Sequence, residues 1–301
     1  MTKKILLASA VMILALTGVC FGFGNANGVG YFALEVPPDV TITIDGKGDD
    51  WGWFDPAFTY GPDAMIEIIT GQVPPKSDID MAVMTAWTGA NRDNKLYGFT
   101  RVTDDTLHIA QTEMDNGWLD DDYEIITDAD GSGGPYRAEG VVTGLNGQQF
   151  TMHISTPGGY VSPYGNGTWW MRYQAPTEIH WVDALAQAQI TTVPAGAKTG
   201  TPNVTVNYEF AIPLFDELSL SGQAASPRHV LTQGETIGLT YQLNDADTGD
   251  RSVQLATAAE NGAAWDATFS SQYTLLGVGE YTMATAVNAG SWGRIKATFD
   301  R

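Results

Sequence analysis

Apolar and polar residues alternate along several stretches of the chain. Ile79, Met81, Val83, Thr85 and Trp87 fall on one face of an extended segment, and "NKLYGFTRV" follows as its neighbour after a turn at residues 89–94. In "VTVNYEFAI", Val204, Val206, Tyr208, Phe210 and Ile212 point one way while Thr205, Asn207 and Glu209 point the other. Ile237, Leu239, Tyr241 and Leu243 repeat the pattern, and "GRIKATF" (293–299) repeats it again. A period of two with one apolar face predicts half-buried strands. Many such strands joined by Gly-rich turns predict an all-β, antiparallel β-sandwich of the jelly-roll or immunoglobulin-like kind. Helical periodicity is scarce. "VDALAQAQ" (182–189) reads equally as a short helix or a strand, and residues 131–203, rich in Gly, Pro, Thr and Tyr, read as hairpins and long loops.

The N-terminus departs from this pattern. Lys3 and Lys4 precede an almost wholly apolar run from Ile5 to Leu16, and small residues follow. That layout predicts a secretory signal peptide over residues 1–26, cleaved near Gly24 or Ala26, with a single domain over 27–301. A lipoprotein reading through Cys20 is weaker, because Val19 stands where a small residue is expected, and the apolar run is short for a retained membrane span. Cleavage would remove Cys20, the single cysteine, leaving an exported chain that is stabilised by its core and by bound ions rather than by disulfides.

The formal charge is −20, and −22 without Lys3 and Lys4. Such a surface repels phosphate backbones and anionic lipids, so nucleic acid and membrane surfaces are poor partners, whereas neutral ligands and cations are not excluded. Acidity also serves solubility alone.

The densest chemistry lies in "GWLDDDYEIITDADGSGG" (117–134), with six carboxylates around one Trp. Asp-x-Asp followed by Gly is the front half of many calcium loops, so Asp128 and Asp130 are candidate calcium ligands. "NDADTGDR" (244–251) offers a second set in Asp245, Asp247 and Asp250. Neither has the distal Glu and flanking helices of an EF-hand, and an acidic turn held by side-chain-to-backbone bonds is the plain alternative. Glycoside hydrolysis needs two carboxylates across a cleft, and nothing in the sequence singles out a pair. No Ser–His–Asp, Cys–His or phosphate-loop motif is present, and His108, His153, His180 and His229 are scattered as ordinary surface or strand residues. A third reading is ligand binding. Trp rings stack on the apolar faces of sugars while carboxylates and amides bond hydroxyls. Trp118 stands six residues before Glu124, which would put both on one sheet face if the strand began there. Trp51, Trp53 and Trp292 read as structural, and Trp169 and Trp170 must point to opposite faces if extended.

The order of motifs resembles a family 9 carbohydrate-binding module, within the wider group of DOMON-like β-sandwiches. "ITIDGKGDDWGW" (42–53) resembles the family's opening strand and its Asp-Gly…Trp turn. "LYGFTRVTDD" (96–105), "WLDDDYEIITD" (118–128), "YEFAIPL" (208–214), "IGLTYQLNDAD" (237–247) and "WGRIKATF" (292–299) follow in the family's order. The resemblance implies a calcium-bearing sandwich that binds sugar between two Trp rings. By position, Trp118 and Trp265 resemble those rings, Glu124 matches an acidic residue that contacts hydroxyls, and Asn244 and Asp245 match an Asn-Asp pair. The family also places an Arg on the strand after the acidic loop. Here that strand reads "YRAEGVVTG" (136–144), with Gly or Glu at the expected place. The stretches 145–203 and 266–291 are longer than the family's usual loops.

Together these readings predict an exported, non-catalytic carbohydrate-binding protein that takes an oligosaccharide or polysaccharide. Two alternatives use the same fold. One is a self-assembling envelope or filament protein whose edge strands pair between copies, glycosylated at Asn166 and Asn203 in organisms that use those sequons. The other is a haem-binding electron carrier, for which Met65, Met81 and Met84 are available ligands.

Overall fold

The structure is a computed structural model that describes residues 24–112, 114–154, 169–171 and 174–281. The predicted signal segment with Lys3, Lys4 and Cys20, the sequon at Asn166, and the strand at 292–299 with Trp292 lie outside the described residues. Asn25 and Ala26 already belong to the fold. The Ala26 N–H donates to the Thr257 carbonyl, and the Asn25 side chain bonds both the N–H and the carbonyl of Gln272.

The strands are β1 (Tyr31–Glu35), β2 (Ile66–Glu67), β3 (Ile79–Trp87), β4 (Leu96–Leu107), β5 (Asp122–Asp128), β6 (Gln148–His153), β7 (Trp169–Met171), β8 (Gln187–Val193), β9 (Thr201–Ile212), β10 (Thr236–Asp245), β11 (Val253–Ala256) and β12 (Gln272–Leu276). They follow one hydrogen-bonded path, β7-β6-β5-β10-β12-β1-β3-β4-β9-β8, with β11 paired to β10 and β2 to β11. "VDALAQAQ" is neither one helix nor one strand: it spans the end of a 3₁₀ helix (Thr177–Leu185) and the start of β8.

The path folds over to make a sandwich. The inward residues of β5, β7 and β10 meet those of β9, with ring centroids 5.2 Å apart for Tyr123 and Tyr208 and 5.5 Å for Trp169 and Phe210. Two hydroxyl pairs also cross the core, Thr85 with Tyr241 at 3.0 Å and Thr100 with Tyr123 at 2.9 Å. Buried phenols need partners, so these bonds fix how the layers register. Met65 and Met81 lie in this core among aliphatic and aromatic neighbours.

The sheet is not wholly antiparallel as expected. β1 runs parallel to both β12 and β3. A parallel pair needs a long crossover, and residues 36–78 supply one between β1 and β3. Its first part, residues 36–58, packs on the outer face of the sheet, while Tyr60 and Met65 turn into the core. The predicted opening strand at 42–44 pairs with nothing, and Val40, Ile42 and Ile44 pack instead on a second apolar cluster containing Trp51, Phe54 and Phe99. Glu209, fully buried on β9, holds the "DGKGDDW" turn. It accepts from Trp51 Nε1 (2.8 Å), Gly46 N (2.7 Å) and Asp45 N (2.9 Å). Burial raises its pKa even against these three donors. Gly46 has a positive φ of 76°, a conformation suited to glycine, and a Cβ there would strike Thr191.

Candidate functional site

Behind the core, the outward face of β5, β6, β10 and β11 is polar yet covered. Asp122, Glu124, Gln149, Gln242, Asn244 and Gln254 are each less than 5% exposed. The alternation legible in the sequence therefore does not mean one wet face. Two segments roof this polar floor: the 3₁₀ helix Met114–Leu119, which carries Trp118, and the turns at Asn261–Phe269, which carry Trp265.

Trp118, Glu124 and Trp265 line one cleft of about 150 Å³ together with Arg137, Gln149, Arg251, Gln254, Asn261 and Ala264. The two indoles are neither in the deep interior nor on opposite sides of the molecule. Trp118 is half-buried and Trp265 is 44% exposed. Trp118 does not reach this cleft by strand parity, as the spacing to Glu124 suggests, because β5 begins at Asp122. The preceding 3₁₀ helix folds over the sheet and brings the ring to Glu124. Asn244 sits behind the lining: it donates to Asp122 and accepts from Arg251 Nη1 at 2.8 Å.

The other wall is built by the loop after β5. Tyr136 N and Arg137 N both donate to the Trp265 carbonyl (3.0 and 3.1 Å), and the Tyr136 hydroxyl donates to the Ala263 carbonyl at 2.8 Å. These bonds lock the 261–265 turn and lay the Arg137 guanidinium 5.6 Å from the Trp265 ring centroid. Arg251, on the β10–β11 turn, lies 4.9 Å from the Trp118 ring centroid. Residues 136–144 form no strand, so no strand position there presents an Arg, and Arg137 reaches the cleft from the loop. Gln149 enters from β6. Its Nε2 donates to Glu124 Oε1 at 3.0 Å, and its Oε1 is buried with no hydrogen-bond partner. Gln242, opposite Glu124 in register, has both amide atoms buried without a partner. Arg137, Gln149, Arg251 and Gln254 were not legible as site residues in the sequence; the even spacing of Gln149 from Thr151 and of Gln242 from Asn244 was the signal available.

Among solved structures, the chain is similar to a family 9 carbohydrate-binding module from Caldicellulosiruptor kristjanssonii in complex with cellotriose. The TM-score is 0.51 over 83% of this chain and 94% of that chain, at 15% identity. A family 9 module from the same organism in complex with glucose gives 0.51 over 82% and 95%, at 16% identity. The chain has the fold of a family 9 carbohydrate-binding module. No protein-family model and no curated protein matches the sequence.

The predicted calcium residues separate within this family 9 fold. Asp128 pairs with Gly238 at one end of β10, and Asp245 ends the same strand. At about 3.4 Å per residue the two loops are over 20 Å apart and cannot share an ion. Asp245 and Asp247 converge with Asp104, and Asp247 also with Asp78 and Asp105, with potential ligand atoms within 4.8 Å of one another in each group. Asp78, Asp104 and Asp105 were not anticipated, although the "DD" two residues before the end of β4 was visible. Burial, and then Asp104, push the Asp245 carboxyl up to about 8. Burial and Asp104 push Asp121, next to this group, up to about 10. Asp247 Oδ1 is buried without a partner, and among the described residues none of these five carboxylates is in an ion pair. Hard oxygen donors converging without a counter-charge suit a calcium ion. Asp250 is exposed and outside both groups. At the opposite end, Asp128 accepts from Gly133 N at 3.0 Å and Asp130 from Ser132 N at 3.1 Å, which closes the turn on itself.

The histidines are not all ordinary. His153 bonds Asp120 at 3.0 Å, His180 bonds Asp183 at 2.8 Å, and His229 lies between Asp216 (2.5 Å) and Glu235 (2.7 Å). The His153–Asp120 pair stands beside the cleft, with Asp120 two residues after Trp118 and His153 on the same strand as Gln149, while His180 and His229 contact no residue of the lining in these bonds.

Proposed function

We propose that this protein is an exported, non-catalytic carbohydrate-binding protein that takes one sugar ring in the cleft between Trp118 and Trp265. The observation that carries the reading is the meeting of these two distant indoles over Glu124. Indole faces stack on the C–H faces of sugars, and the polar floor supplies what hydroxyls need. Glu124 accepts, Gln254 and Asn261 donate or accept, and the orphan Gln149 Oε1 is matched by a hydroxyl donor. The fold neighbours in complex with cellotriose and glucose support the same class of ligand. Among the described residues the lining holds one carboxylate, Glu124, whereas paired-carboxylate glycoside hydrolysis uses two, which supports binding without turnover. The cleft is short, so a chain end or a single exposed ring fits better than the middle of a polysaccharide.

Calcium belongs to this reading as a structural ion. Asp78, Asp104, Asp105, Asp245 and Asp247 would hold it, joining the ends of β4 and β10 to the turn that carries Arg251. The ion would neutralise carboxylates that burial otherwise forces to keep protons.

Isothermal titration with cello- and xylo-oligosaccharides tests the proposal. Binding that Trp118→Ala or Trp265→Ala weakens by tenfold or more is expected, since a lost stacking face costs on the order of 1–3 kcal/mol. Absence of heat with every saccharide, or unchanged affinity in both variants, rules the pocket out.

A further inference from the structure

The first described residues are held by bonds that reach far along the chain. The Gly24 carbonyl accepts from Ala259 N at 2.8 Å, and the Ala26 N–H donates to the Thr257 carbonyl at 2.8 Å. Between them Asn25 bridges to Ala258, and its side chain accepts from Gln272 N at 2.6 Å and donates to the Val29 carbonyl at 2.7 Å. Asn25 and Ala26 are both buried. A Cβ at Gly24 would lie 2.3 Å from the Ser270 carbonyl oxygen, so the segment is seated too closely for any other residue. These partners belong to the two stems of one excursion. Residues 257–259 leave β11, residues 270–272 lead into β12, and the turns between them carry Asn261, Ala264 and Trp265 of the cleft lining. Residues 24–26 therefore tie together the stems of the wall that presents Trp265.

The sequence alone leaves the end of the signal segment open. Between Leu16 and Asn27, cuts after Cys20, Gly22, Gly24 and Ala26 each place small residues at the last and third-last positions of the removed segment. The fold separates them. A cut after Ala26 removes every bond just described and leaves Ala259 N and Gln272 N without these acceptors. A cut after Gly24 removes the acceptor of Ala259 N and creates a charged ammonium on buried Asn25, which is costly. Cuts after Cys20 or Gly22 keep all of these bonds. Resting on the export and cleft readings above, we infer that the signal segment is cut ahead of Gly24, at the Gly22–Phe23 or Cys20–Phe21 bond, and that residues 24–26 of the mature chain brace the cleft wall. The cut is a hydrolysis by the signal peptidase of the exporting cell. The hydroxyl of water joins the carbonyl carbon of Gly22 or Cys20, and Phe23 or Phe21 keeps a protonated amine.

Intact mass and N-terminal sequencing of the full chain after export from a bacterial secretion host test the cut. The mature protein should begin at Phe23 or Phe21. A first residue of Asn25, Asn27 or later overturns the assignment and leaves the export reading standing, whereas a chain that is never cut overturns both. The brace is tested by secreting a chain whose first residue is Asn27 beside one that begins at Phe23. The shorter chain should melt roughly 5–10 °C lower, since several hydrogen bonds are lost. At a temperature where both are folded, it should bind cellotriose at least about threefold more weakly, because the wall carrying Trp265 is less well organised before binding. Asn25→Ala keeps the length and removes the side-chain bonds alone. It should move both readouts the same way by less, and it serves as the test if the shorter chain does not fold. Unchanged melting, or lower melting with unchanged affinity, overturns the brace. Binding by neither chain overturns the cleft reading and the brace with it, and leaves the cut to be decided by its own measurement.

Discussion

The loops "DADGSG" and "DADTGD" look alike in sequence and sit at opposite ends of β10, where they do different things. At the first, Asp128 and Asp130 spend their oxygens on N–H groups of their own turn. At the second, Asp245 and Asp247 are drawn to Asp78, Asp104 and Asp105, which arrive on other strands and loops. The difference is one of partners rather than motif. An Asp satisfied within its turn needs no ion, whereas carboxylates crowded by tertiary structure, with no cation among the described side chains, need one or must hold protons.

The sharpest break in this comparison is removal of metal. An ion at a hundred times its dissociation constant stabilises by about 2.7 kcal/mol, which for a domain of this size is a shift of roughly 5–10 °C in Tm. Calcium added to chelator-treated protein should raise Tm by that order in a thermal melt. In Asp245→Asn the calcium response should vanish, and at neutral pH the metal-free variant should melt higher than the metal-free parent, because a buried carboxyl whose pKa is raised to about 8 must take up a proton on folding and the amide need not. Asp128→Asn should leave the calcium response intact. Loss of that response in Asp128→Asn and its survival in Asp245→Asn would invert the comparison.

A smaller effect sharpens it. Burial, reinforced by Asp130, pushes the Asp128 carboxyl up to about 6. Its folded-state value lies above the ordinary value of about 3.9, so the folded state holds the proton more tightly. The resulting stability is present below the ordinary value and is lost as pH rises through about 6. Carboxyl carbon NMR should follow this titration at the same pH with and without calcium, and Asp130→Asn should lower it. The smallest effect belongs to Asp250→Asn, which should change neither Tm nor calcium response.

Much of the core was legible because its inward residues obey a period of two. Tyr208, Phe210, Leu239 and Tyr241 all point where alternation puts them. What alternation could not convey is that the other face is covered as well. Glu209 reads as a wet residue and is fully buried, holding the "DGKGDDW" turn through three donors. The parallel placement of β1 depends on a crossover that leaves no local mark. At the site, Trp118, Trp265 and Glu124 could be chosen by their resemblance to family motifs. Arg137 could not, because backbone bonds from a loop to the Trp265 carbonyl place it, and Arg251 is placed by a turn beside the carboxylate cluster. Asp78, Asp104 and Asp105 join Asp247 or Asp245 only once β4 and β10 are in their layers, so the two "DAD" loops could not be told apart beforehand.

The central claim is that a sugar ring sits between Trp118 and Trp265. A crystal structure of the protein grown with the saccharide that titrates most tightly tests it directly. The account predicts a ring within about 4 Å of both indole faces, with hydroxyls bonded to Glu124 and Gln149. Saccharide bound elsewhere, with Arg137 and Arg251 still lying over undisturbed indoles, would contradict it.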